Sequence, residues 1–129
     1  PSMQWIAVAA GGAAGAVSRY ALATIVYGLV GTHFPWGTMV VNLAGCFGLG
    51  IVAAWADAAV ASEWIRTTLA IGFFGAFTTF STFSLEALRL VEQGEAGRAG
   101  AYVLASVVVG IGAVGAGLAL GRWGIAQLG

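Results

Sequence analysis

The sequence predicts an all-α integral membrane protein with four transmembrane helices per subunit. Composition is the first reason. Of the residues, 60% are hydrophobic and only 8% are charged, against roughly 25% charged in soluble domains, so the chain cannot coat a water-facing surface. Length is the second, because a helical span takes about 20 residues and 129 residues hold four of them with short loops and little else. The third is polar punctuation, which divides the apolar sequence into four stretches. The 21 glycines follow no Gly-X-Y period, which excludes a collagen, and the hydrophobicity excludes disorder. One domain over 1–129 is expected, with no tandem repeat and no linker.

The first span covers about 3–30 and is interrupted by Ser18, Arg19 and Thr24. No positive segment precedes it, so it reads as a permanent span rather than a signal peptide. Gly31-Thr32-His33-Phe34-Pro35 carries Gly and Pro punctuation and reads as a loop. The second span covers about 36–55 and begins and ends on Trp36 and Trp55, a residue type favoured at membrane interfaces. The third covers about 64–90. Its centre holds five hydroxyls (Thr78, Thr79, Ser81, Thr82 and Ser84) among Phe77, Phe80 and Phe83. That is a poor lipid-facing surface and a mediocre helix by propensity, so irregular backbone is expected there. A polar loop from Arg89 to Arg98 leads to the fourth span, about 99–120, which Arg122 and Trp123 close.

Formal net charge is zero. Clustered cations are needed to bind phosphates, so nucleic acid is not an expected partner. The single Cys46 excludes a disulfide framework within one chain. Four spans put both termini on one side, where Arg66 and Arg122 fall, while Arg89 and Arg98 fall on the other. Two against two gives no positive-inside bias. Either an embedded Arg or the insertion machinery then sets the orientation, or copies insert both ways and pair antiparallel.

Polar residues inside a span are functional candidates because burying each needs a partner. Arg19 in the first span can draw an anion toward an aqueous vestibule, or it can snorkel or bond helix-end carbonyls. Thr38, Asn42 and Gly45 share one helix face. An uncharged amide can strip water from a small anion without trapping it in an ion pair, and the same amide is common glue between membrane helices. Phe80 and Phe83 stand at i and i+3, with Thr79, Thr82 and Glu86 on another stripe. Ring edges are the positive part of the aromatic quadrupole, so an anion can lie against them while the hydroxyls of Thr79, Ser81 and Thr82 donate hydrogen bonds. A helix break near Gly75 and Thr78 would free carbonyls able to hold a cation, with hydroxyl back-bonding as the structural alternative. In the fourth span Tyr102 and Ser106 start a polar stripe that ends at Gly110 and Val114. Gly11–Gly15 and Gly117–Gly121 form small-residue faces suited to close helix packing.

The run Gly75-Ala76-Phe77-Thr78-Thr79-Phe80-Ser81-Thr82-Phe83-Ser84-Leu85-Glu86 closely resembles the Fluc/CrcB family of fluoride exporters. GxxGAxxRY appears as Gly12 to Tyr20, and GTxxVN as Gly37 to Asn42. The resemblance implies a fluoride channel in the plasma (bacterial inner) membrane, with lipid around it. It also implies a dual-topology homodimer of four-helix subunits with the third helix broken near its centre, two antiparallel pores and a central structural sodium ion (Na+). By motif position Phe80 and Phe83 match the aromatic pair on the fluoride path and Asn42 the pore amide. Gly75 and Thr78 match the break whose backbone carbonyls hold the sodium, two from each subunit. Arg19 matches the family's first-span Arg, and Tyr102 and Ser106 the start of its hydroxyl track. Arg19, Thr38 and Glu86 are expected in a vestibule or structural role.

Two other classes compete with a channel. A small drug-efflux antiporter needs a carboxylate in the first span, where this chain has Arg19 and no acid; Glu86 is the acid that can lie within a span. A membrane subunit without transport activity leaves the hydroxyl-rich aromatic centre unexplained. An enzyme is not expected, since His33 stands alone with no base, nucleophile or metal cluster beside it.

Overall fold

The computed structural model describes residues 2–129, and the described residues form helices and loops without a strand. Helix α1 spans Ser2–Val30. It stops where Gly31 takes a φ of 81° and its N–H donates to Tyr27 O at 2.9 Å. This is the left-handed cap that glycine adopts without a Cβ penalty. Helix α2, Trp36–Asp57, starts behind Pro35, whose missing N–H costs nothing at a helix start.

The third span-length segment, Glu63–Glu92, is built in pieces. A short helix α3, Glu63–Arg66, is capped by Ser62, whose hydroxyl accepts from Ile65 N at 3.2 Å. It runs into a π-helical stretch, Thr67–Phe74, and then one turn of α-helix, α4, Gly75–Phe77. Thr78 (φ −89°, ψ 157°) and Thr79 (φ −148°, ψ 119°) have extended backbone before α5 begins at Phe80–Glu92. Gly94, at φ 80°, turns the chain into α6, Ala96–Ala126. At 1.5 Å per residue the 31 residues of α6 outreach a hydrocarbon core of about 30 Å. The helix therefore continues past the 99–120 stretch that hydropathy marks, through Arg122 and Trp123.

Four segments, Ser2–Val30, Trp36–Asp57, Glu63–Glu92 and Ala96–Ala126, are long and apolar enough to cross a membrane. Outward-facing side chains are apolar too: Ile111 is 70% and Leu104 66% exposed, as a surface solvated by lipid requires.

Four glycines at two helix contacts set the packing. A Cβ at Gly117 would overlap Phe47 O and one at Gly50 would overlap Val114 O, so α2 and α6 approach backbone to backbone. A Cβ at Gly11 would overlap Thr68 O, and one at Gly15 would overlap Phe73 O, so α1 lies equally close on the π-helical stretch. Close approach maximises dispersion contact where lipid supplies no hydrophobic drive between helices. At one end of the bundle Met39, Leu90, Ala99 and the fully buried Tyr102 form a cluster, with Phe34, Leu43 and Phe83 against it.

Candidate ion pathway around Thr78 and Thr79

The extended pair Thr78–Thr79 redirects three backbone donors and acceptors that a continuous helix would pair internally. In such a helix Thr79 N–H would bond Gly75 O. Here it donates to Asn42 Oδ1 at 2.8 Å, while Asn42 Nδ2 donates to Thr79 O at 3.1 Å. Thr82 N–H, the helical partner of Thr78 O, donates instead to Thr79 Oγ1 at 3.2 Å as the N-cap of α5. The carbonyls of Gly75 and Thr78 are thereby left without their helical donors. Ala76 O, also near the end of α4, accepts from Arg19 Nε at 3.1 Å. A cation at a helix C-terminus is favourable for the dipole as well as for the hydrogen bond. Of the two roles open to Arg19 in the sequence, the structure brings out the one at the helix end.

Asn42 is likewise engaged with backbone, but one of its two Nδ2 hydrogens is left over. Thr79 stands as the extended N-cap of α5 rather than within a continuous helix, and its hydroxyl accepts from Thr82 N–H and lies within 3.5 Å of Ser81 Oγ. Thr78 Oγ1 back-bonds Phe74 O at 2.8 Å.

A cavity of about 270 Å³ opens beside this linkage, lined by Asn42, Cys46, Thr79, Phe80, Phe83 and Ser106 among others. Phe80 and Phe83 do share the first turn of α5, with ring centroids 5.8 Å apart and planes tilted by 43°. They differ in support. Phe83 packs on Tyr102 at 5.1 Å, while Phe80 is 79% exposed. Ser106 Oγ is buried and has no hydrogen-bond partner among the described residues.

Beyond Tyr102 the polar groups continue into a second hollow. Tyr102 Oη donates to Glu86 Oε1 at 3.3 Å and Tyr27 Oη donates to Glu86 Oε2 at 3.2 Å. Thr38 joins through its backbone N–H and its Oγ1, each 3.4 Å from Tyr27 Oη. Since the Tyr27 hydroxyl proton faces Glu86, the Thr38 hydroxyl is the donor in that pair. A cavity of about 300 Å³ lies over this group, with Tyr27, His33, Glu86, Arg89 and Gln93 in its wall. Tyr27 escaped the sequence reading. Its one available signal was a polar-tipped aromatic near the end of an otherwise apolar span. The structure thus brings Asn42, Thr79, Phe80, Phe83 and Ser106 to one cavity and joins Thr38, Glu86 and Tyr102 in a network next to it. Arg19 and Gly75 line neither cavity.

A family model described as CrcB-like protein, Camphor Resistance (CrcB), matches residues 6–118. The chain belongs to the CrcB family. Relatives agree over nearly their full length. The fluoride-specific ion channel FluC of Agrobacterium fabrum is 50% identical over 116 residues, which is 89% of this chain and 93% of that protein. The protein of the same name from Rhizobium johnstonii is 49% identical over 121 residues, 93% and 97% of the two chains. That from Xanthomonas euvesicatoria is 35% identical over 118 residues, 91% and 89%. Membership of the CrcB family, together with four span-length helices, makes this a multi-pass membrane protein of the transporter kind rather than an enzyme.

Proposed function

We propose that this CrcB-family chain is a fluoride-specific ion channel that exports fluoride passively across the bacterial inner membrane. The observation that carries the reading is the cavity beside Thr78–Thr79, where unspent donors and aromatic rings meet without a fixed cation in the lining. Fluoride is small and strongly hydrated. A selective path must replace water by several donors and must not hold the ion in a permanent pair. The second Nδ2 hydrogen of Asn42 and the unpartnered Ser106 hydroxyl are such donors, and the rings of Phe80 and Phe83 offer positive edges. The names of the relatives agree with this selectivity.

The assembly belongs to the same proposal. The functional unit is an antiparallel homodimer with two pores, in which the third helix of each subunit is broken near its centre. Phe80 favours a covered face, since a 79% exposed ring on a cavity rim leaves the path open on one side. The even division of Arg residues between the two sides also suits a chain that inserts both ways. The donor set at the linkage fits a sodium ion: two neutral backbone oxygens, Gly75 O and Thr78 O, have lost their helical N–H partners, and hard monovalent cations take oxygen ligands. Two carbonyls are too few to enclose a cation, and a second copy would supply another pair. When bound, such an ion would contribute fixed positive charge between the pores. Asn42 and Thr79 hold the carbonyls in position whether or not it is present.

Purified protein in liposomes should release fluoride, read with a fluoride electrode, and not chloride, with no dependence on a proton gradient. Release that required opposing proton flux would replace the channel by an antiporter centred on Glu86.

A further inference from the structure

The polar stripe on α6 ends in the sequence at Ser106, since Gly110 and Val114 carry no donor. Space over Gly110 is nevertheless occupied from the neighbouring helix. A Cβ built on Gly110 would stand 3.7 Å from Cys46 Sγ, an ordinary van der Waals contact, so the sulfur lies over the bare glycine backbone. Cys46 is a free, half-buried thiol one turn beyond Asn42 on α2 and lines the same 270 Å³ cavity as Asn42 and Ser106. Ser106 Oγ, one turn before Gly110, is buried in that wall with no partner, the thiol included. A buried hydroxyl without a partner is costly, and here it shares a cavity with an S–H group and an amide hydrogen. The spare Asn42 amide hydrogen and the Cys46 S–H call for an acceptor as guest, with the Ser106 hydroxyl buried in the wall behind them.

We propose that Cys46 lines the ion path and contributes its S–H as the donor past Ser106 that Gly110 lacks. The inference rests on the fluoride-channel reading above. The chemistry is that of a small, hydrogen-bond-accepting anion passing from Ser106 and Asn42 to the sulfur. An S–H is a weak donor, so the ion is handed along rather than held. A methyl group in place of the thiol would leave an apolar gap at this point of the path.

Cys46 is the single cysteine of the chain, so the wild-type protein is its own single-cysteine probe. Fluoride efflux from liposomes in chloride-free medium is measured before and after external silver ion, which binds thiols and is small enough to enter a pore. Silver should slow wild-type efflux about tenfold or more and leave Cys46→Ser unaffected, because a filled constriction stops conduction. Without silver, Cys46→Ser, which keeps a donor at this position, should conduct faster than Cys46→Val. Cys46→Val, similar in size and lacking a donor, should be at least about threefold slower at an unchanged elution volume. Silver without effect on wild type, an equal effect on Cys46→Ser, or a Cys46→Val rate equal to wild type overturns the assignment while leaving the fluoride channel intact. Wild-type protein that passes no fluoride removes both.

Discussion

Replacing Asn42 by Ala tests the central piece of the geometry, the clamp that holds Thr79 out of the helix. The side chain makes two hydrogen bonds to one residue's backbone, 2.8 Å from Thr79 N to Oδ1 and 3.1 Å from Nδ2 to Thr79 O. Bonds between membrane helices average about 0.6 kcal/mol and reach about 1–2, so the pair contributes roughly 1–2 kcal/mol. Truncation also strands a backbone donor in a partly buried site, which adds about 1–3 kcal/mol. The sum is a destabilisation of about 2–5 kcal/mol, toward the lower end where Thr79 N–H can swing back to Gly75 O and rebuild local helix. Unfolding in mixed micelles by titration with dodecyl sulfate, followed by the fluorescence of the five Trp residues, measures it. Asn42→Asp supplies the second arm: it keeps an acceptor for Thr79 N–H but sets oxygen against Thr79 O, so it should be no more stable than Asn42→Ala. A stability of Asn42→Ala within about 0.5 kcal/mol of wild type, below the value of even one such bond, would refute the clamp.

Other substitutions separate packing from conduction. Phe80→Ile should destabilise the protein less than Phe83→Ile, because Phe80 is 79% exposed in the isolated chain and is covered only in the proposed dimer. Both should slow fluoride efflux, and the larger loss of stability falls on Phe83→Ile, since that ring packs on Tyr102; unchanged efflux in both variants would remove the ring-edge argument. Gly117→Ala drives a methyl into Phe47 O and should destabilise by about 1–3 kcal/mol. Gly124→Ala meets nothing within 4 Å and should be neutral or stabilising; equal outcomes at the two glycines would contradict the close α2–α6 approach.

Membrane character, the number of spans and the unusual centre of the third could be read in the sequence because each depends on local composition measured against the thickness of a bilayer. The glycine faces at Gly11–Gly15 and Gly117–Gly121 were equally legible as packing surfaces, although their partners were not. What each face meets, the Thr68 and Phe73 carbonyls for one and α2 for the other, depends on how the helices are arranged. The π-helical stretch Thr67–Phe74 left no mark in the hydropathy, which treats the segment as ordinary apolar helix.

The site divides in the same way. The residue types were in view: an Asn and an Arg inside spans, Phe at i and i+3, hydroxyls between them. Their roles were not, because Asn42 reaches across 37 residues to Thr79 and Arg19 across 57 to Ala76, and no local pattern encodes such a pairing. Arg19 had two open roles, and the packing of α1 directed its guanidinium to a helix end. Tyr27 and Cys46 looked like filler until α5 and α6 were set beside them. By itself the sequence determined that this chain lives in a membrane and which few polar groups it carries there, since burial in lipid is decided residue by residue. Only the tertiary structure decided which of those groups are already spent on one another and which still face a cavity, since a hydrogen bond is a matter of distance between helices.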